Sequence, residues 1–115
     1  MATPVYSTNF FRAAAASGGP TPVYTVPTGF VAAVKCITIV WGNVIDSGLD
    51  AWVQTEDLCK LVRYAWAFTV GAPTNFGGVQ VSYGSWVLLE GETMSVQTAA
   101  GTCDIQASGY LLQTP

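Results

Sequence analysis

In a chain of 115 residues that is 50% hydrophobic and only 10% charged, there is enough apolar side chain for a core and a surplus left over, since ordinary soluble domains carry about 25% charged residues. A net charge of −3, from seven acidic and four scattered basic residues (Arg12, Lys35, Lys60, Arg63), excludes the clustered cations that hold a phosphate backbone. The lack of any histidine removes the commonest general base and metal ligand, and no window approaches the roughly 18–20 consecutive apolar residues of a membrane helix, so the surplus is expected to meet other protein.

The N-terminal stretch "TPVYSTNFF" (3–11) reads as an extended arm or an edge strand. In the "RAAAASGGP" that follows, the alanines predict a brief helical turn stopped by Gly18, Gly19 and Pro20. A strand "PVYTV" (22–26) then runs into a turn at Pro27–Gly29, where Pro27 fixes its own φ and Gly29 accepts the positive φ that lets the chain leave. The next strand, "FVAAVKCITIVWG" (30–42), is long enough to cross a whole sheet. Its apolar parity changes between Val34 and Ile37, which requires either a bulge near Lys35 and Cys36 or cover on both faces.

"NVIDSGLD" predicts a loop, "AWVQT" (51–55) a strand, and "EDLCK" a connection. In "LVRYAWAFTV" (61–70) the large residues Val62, Tyr64, Trp66, Phe68 and Val70 alternate with Leu61, Arg63, Ala65, Ala67 and Thr69, a period of two that builds a wall on one side of a strand. The second side is mixed in character, and Arg63, Ala65 and Ala67 are expected to lie against a carboxylate, another element or a second protein. The longest loop is "GAPTNFGG" (71–78), followed by a strand "VQVSY" (79–83). "WVLLEGETMSVQTA" predicts strand, turn at Glu90–Gly91 and strand in a short hairpin, and "CDIQASGYLL" (103–112) closes the chain with Cys103, Ile105, Ala107 and Leu111 on one parity. About seven or eight short strands at this spacing predict an all-β, jelly-roll-like sandwich, divided into an N-terminal arm and linker (1–21) and a sandwich domain (22–115).

Chemistry-bearing motifs are sparse. Cys36, Cys59 and Cys103 are odd in number and never in a CxxC pair, which argues for small buried thiols rather than a zinc site or a disulfide framework. The carboxylates of "EGE" (90–92) and "DSGLD" (46–50) read as a solvated turn and a loop tip without the ligand count of a calcium site. No GxSxG or SxxK motif stands anywhere in the chain. The expectation is a protein with no catalytic residue, no metal and no cofactor. The N-terminus has no basic start followed by an apolar block, which argues against a secretory signal and for synthesis in a cytosol. Of Trp41, Trp52, Trp66 and Trp86, Trp66 belongs to the strand wall, whereas Trp52 is the candidate for an exposed ring that could stack on a sugar, as in a carbohydrate-binding module.

Two blocks, "VYTVPTGFVAAVKCITI" (23–39) and "WVLLEGETMSVQTAAGTCDIQASGYLL" (86–112), resemble small structural proteins of tailed bacteriophages. The shared pattern is a strand, a "VPxG" turn and a long strand, then "LxxGExxSVxT" and a closing "DIxxSGYLL" strand. "MATPVYSTNFF" is similar to the start of short proteins from phages of actinobacteria, of the head decoration and minor tail classes; residues 41–60 fall outside the pattern. The resemblance implies a non-enzymatic virion protein, made in the host cytoplasm, whose partners are the major capsid protein or tail proteins. It supplies no catalytic residue. Capsid symmetry suggests a homo-oligomer, a trimer, while the scattered basic residues and the lack of a membrane-length apolar run lead us to expect neither nucleic acid nor membrane as a partner. The candidate partner-binding residues are Val5, Tyr6, Phe10 and Phe11 of the arm, with Arg63, Ala65 and Ala67 of the mixed strand face.

Overall fold

The computed structural model describes residues 5–15, 19–41, 48–55, 60–67, 78–100 and 102–114. They form eight strands: β1 Val5–Ala15, β2 Thr21–Thr25, β3 Phe30–Trp41, β4 Gly48–Thr55, β5 Lys60–Ala67, β6 Gly78–Leu88, β7 Thr93–Ala100 and β8 Cys103–Gln113. One sheet has the order β1-β8-β3-β6 and the other β2-β7-β4-β5, with every pairing antiparallel. Apart from the β4–β5 hairpin, each strand is followed by one in the opposite sheet. This is the jelly-roll path, in which two sheets close over one core.

The core is the inward row of both sheets. Val34, Ile37 and Ile39 of β3, Ala51 and Val53 of β4, Leu88 of β6, Met94 and Val96 of β7, and Ile105 and Ala107 of β8 are all fully buried. Each of the larger ones contributes about 1.5–3 kcal/mol by leaving water. The parity change in β3 is a bulge: Val34 faces Gly109 and Cys36 faces Ser108, which leaves Lys35 without a partner on β8 and turns Val34 and Ile37 to the same side.

Several expectations change. Residues 5–15 are an edge strand hydrogen-bonded to β8, so the sandwich begins in β1 and not at residue 22. Ala13, Ala14 and Ala15 continue that strand instead of turning helically, because β8 offers each of them a pairing partner. The turn at Glu90–Gly91 exists, with Gly91 at φ 83°, but it does not close a hairpin. β6 pairs with β3, whereas β7 pairs with β4 and β2 in the other sheet. Gly48 to Asp50, expected in a loop, extend β4. Phe68, Thr69 and Val70, Cys59, and the loop 71–77 lie outside the described residues.

The two sequence blocks quoted above meet at one end of the sandwich. In the first turn the Phe30 N–H donates to the Pro27 carbonyl at 3.2 Å, with Gly29 at φ 87°. The Glu90 carboxylate accepts from the Gly29 N–H at 2.8 Å, and the Gly91 N–H donates to the Val26 carbonyl at 2.9 Å. Glu92 in turn accepts from the Leu89 N–H at 2.9 Å. Both carboxylates of "EGE" therefore satisfy backbone donors of two adjoining turns, a structural use that accounts for acidic residues at these positions.

Candidate functional site

β6 shows how the exposed apolar surface arises. Its burial alternates strictly, with Val79, Val81, Tyr83, Ser85 and Val87 outward and Gly78, Gln80, Ser82, Gly84, Trp86 and Leu88 inward. A strand normally turns its larger apolar row to the core, and over residues 78–84 this one does the reverse. Leu88, fully buried, and Trp86, packed on the core, set the parity from the C-terminal end. The glycines they bring inward are covered by indoles. A methyl group on Gly84 would stand 2.8 Å from the Trp86 ring, and one on Gly78 would run into the Trp41 ring on the neighbouring strand. Trp41 also stacks on Tyr64 of β5 at 5.2 Å between ring centres, which ties the two sheets together at that edge.

What faces out is a row of large apolar groups. Tyr83 is 82% exposed and Val87 63%, and Val79, Val81 and Leu89 extend the row. On the adjacent strand Val40 pairs with Val79, Thr38 with Val81 and Cys36 with Tyr83, so Val40 widens the patch at one end. Lys35 donates to Ser85 Oγ at 2.6 Å and brings one charge beside the strand. Further across the sheet the outward row of β8, Asp104, Gln106 and Ser108, is polar, as is Arg12 opposite Gln106 on β1.

The opposite sheet presents a different surface. Arg63 makes a two-pronged pair with Asp50, Nε to Oδ1 at 2.9 Å and a terminal nitrogen to Oδ2 at 2.7 Å, and the carboxylate raises the already high Arg63 pKa further. The guanidinium carbon lies 6.0 Å from the centre of the Trp52 ring, whose Nε1–H donates to Gln54 Oε1 at 2.7 Å. Trp52 is thus half-buried among its own neighbours and its ring carries a guanidinium where a sugar would stack, which weakens it as a carbohydrate platform.

Among the sequence-derived candidates, Phe10 and Phe11 are buried in the sandwich itself, not offered to a partner. A register shift between Asn9 and Phe11 turns both rings inward, and Phe10 contacts Tyr24 across the sheets at 5.0 Å. Val5 and Tyr6 pair through the backbone with Leu112 and Leu111. Arg63 meets the carboxylate expected for it, while Ala65 and Ala67 pair with Asp50 and Gly48 along the hairpin. The candidates therefore do not converge on one site. The outward row of β6 is not among the sequence candidates, because the alternation of "VQVSY" marks a strand without saying that its larger row faces out.

Among the described residues no three His, Cys, Asp or Glu side chains lie close enough to hold a metal ion, and no helix is long and apolar enough to cross a membrane. An open cleft of about 330 Å³ is lined by Ala14, Val40, Trp41, Thr102, Cys103 and Asp104. Burial, and then the neighbouring Asp104 charge, push the Cys103 thiol up to about 11, so it stays protonated and unreactive at neutral pH.

No family model matches the chain, and no curated protein matches it. Among solved structures it is similar to the Eiger TNF of S. frugiperda, with a TM-score of 0.53 at 15% identity, over 84% of this chain and 69% of that one. The likeness is one of fold, a jelly roll.

Proposed function

We propose that this chain is a non-enzymatic structural protein of a tailed-phage virion, a decoration protein that binds the head lattice as a homo-oligomer. The observation that carries the reading is the asymmetry of the sandwich: one sheet turns an apolar row outward, while among the described side chains the other exposes no large apolar group and carries its own ion pair. A subunit that packs one face on protein and shows the other to water has that distribution of surface. The sequence resemblance supports the choice of a virion. Its two turn motifs, "VPTG" and "LEGET", are hydrogen-bonded to each other through Glu90 and Gly91, so the resembling segments act as one unit of the fold. A minor tail protein is the sister reading, since the same resemblance covers both. Antibody labelling of intact particles under negative stain tests the proposal. Label distributed over the heads is expected; label confined to the tail tip rules out decoration, and particles that lack the protein rule out the virion reading.

A further inference from the structure

Among the residues whose side chains the structure describes, the large apolar groups left exposed are Val40, Val79, Val81, Tyr83, Val87 and Leu89. All lie on β6, on the residue that follows it, or at the β3 position paired with Val79. The same strand stands out as an edge. Four strands border the two sheets: β1, β6, β2 and β5. An exposed edge is a template for pairing with another chain, and proteins that stay monomeric blunt it with short length, proline, charge or a bulge. β1 has the register shift after Asn9 and carries Arg12. β2 is five residues long and contains Pro22. β5 carries Lys60 and Arg63. β6 runs for 11 residues without a proline or a charge, and its ladder to β3 shifts register between Tyr83 and Trp86, opposite Lys35.

We propose that β6 is the contact through which this chain associates with further copies of itself, with the outward row Val79, Val81, Tyr83 and Val87 buried at its centre. A second copy is the occupant that fits. The row offers almost no charge for a polar or ionic partner to recognise. It is itself the kind of surface it needs to meet, and of the four edges only this one carries neither proline nor charge, which directs copies of the chain to a single line of contact. At about 3.4 Å per residue and 4.8 Å between strands, the outer rows of β6 and β3 span roughly 350 Å², the apolar centre of a contact whose polar rim β8 supplies. Tyr83, the most exposed of the group, is the expected anchor, since tyrosine is enriched among residues that dominate binding energy. The inference rests on the homo-oligomer of the proposed function and is read on the purified chain, so that its failure is distinguishable from failure of the virion reading.

The test is sedimentation of the purified full chain over a dilution series, with hydrogen exchange at the highest and lowest concentrations. The expected wild-type mass is a multiple of 12.1 kDa, with amides of β6 protected at high concentration and released on dilution while those of β2 and β5 do not change. The double variant Val81→Lys/Tyr83→Lys should associate at least about tenfold more weakly, whereas Gln97→Lys on the outward row of β7 should associate like the wild type. A wild-type chain that sediments at 12.1 kDa throughout overturns the proposal. So does an associated chain whose β6 exchange ignores concentration, a result that needs no variant to fold.

Discussion

Lys35 is the extra residue that moves the inward set of β3 from Val34 to Ile37, and Gly109 is what lets β8 follow that kink. A methyl group on Gly109 would collide with the Ala33 carbonyl oxygen and stand 3.0 Å from the Lys35 nitrogen, both of them backbone atoms that cannot swing aside. Gly109→Ala should therefore cost about 1–3 kcal/mol, read as a lower urea midpoint with an unchanged slope. A second prediction concerns thiols. Cys103 is buried with its pKa raised to about 11, whereas Cys36 is half-buried. Alkylation at pH 8 followed by peptide mapping should modify Cys36 and spare Cys103 until urea unfolds the chain. The sign of the pH effect follows: an unfolded Cys103 ionises near its ordinary value of 9.0, the folded one only near 11, so this residue's contribution to stability is complete below pH 9 and is lost as pH rises toward 11.

Strand positions were legible in the sequence wherever parity was strong, and the bulge in β3 is the clearest case, because two runs of inward residues out of phase have few physical solutions. What the pattern could not give was partnership. The turn at Glu90–Gly91 is written locally, but whether the next strand returns to the same sheet depends on the competition of β3, β4 and β2 for β6 and β7. The alanines of 13–15 carry weak preference either way, and pairing with β8 decides them. The outward row of β6 escaped for a sharper reason. "VQVSYG" alone predicts Val79, Val81 and Tyr83 inside, and only Trp86 and Leu88 downstream, with indoles over Gly78 and Gly84, invert it. Trp41 holds that arrangement by covering Gly78 and stacking on Tyr64. Trp41→Ala should cost about 3–5 kcal/mol, whereas Trp41→Phe, which keeps a ring on Tyr64, should cost clearly less; equal losses in chemical denaturation would remove the ring from this role.

At the scale of the molecule, the low charge noted at the outset divides unevenly. The two sheets bury a shared core between them, the face bearing Asp50 and Arg63 carries their ion pair beside the half-buried Trp52, and among the described side chains the apolar surplus gathers along β6. A jelly roll of this composition is expected to gain stability from its neighbours, since anything that binds only the folded chain shifts the unfolding equilibrium by mass action. Thermal unfolding across a hundredfold range of protein concentration measures that gain without reference to any partner. The melting temperature should rise with concentration for the wild type, and the dependence should vanish in Val81→Lys/Tyr83→Lys. A wild-type melting temperature that does not change over that range, together with a mass of 12.1 kDa by light scattering, would contradict the claim that the apolar face of this sandwich belongs to an assembly.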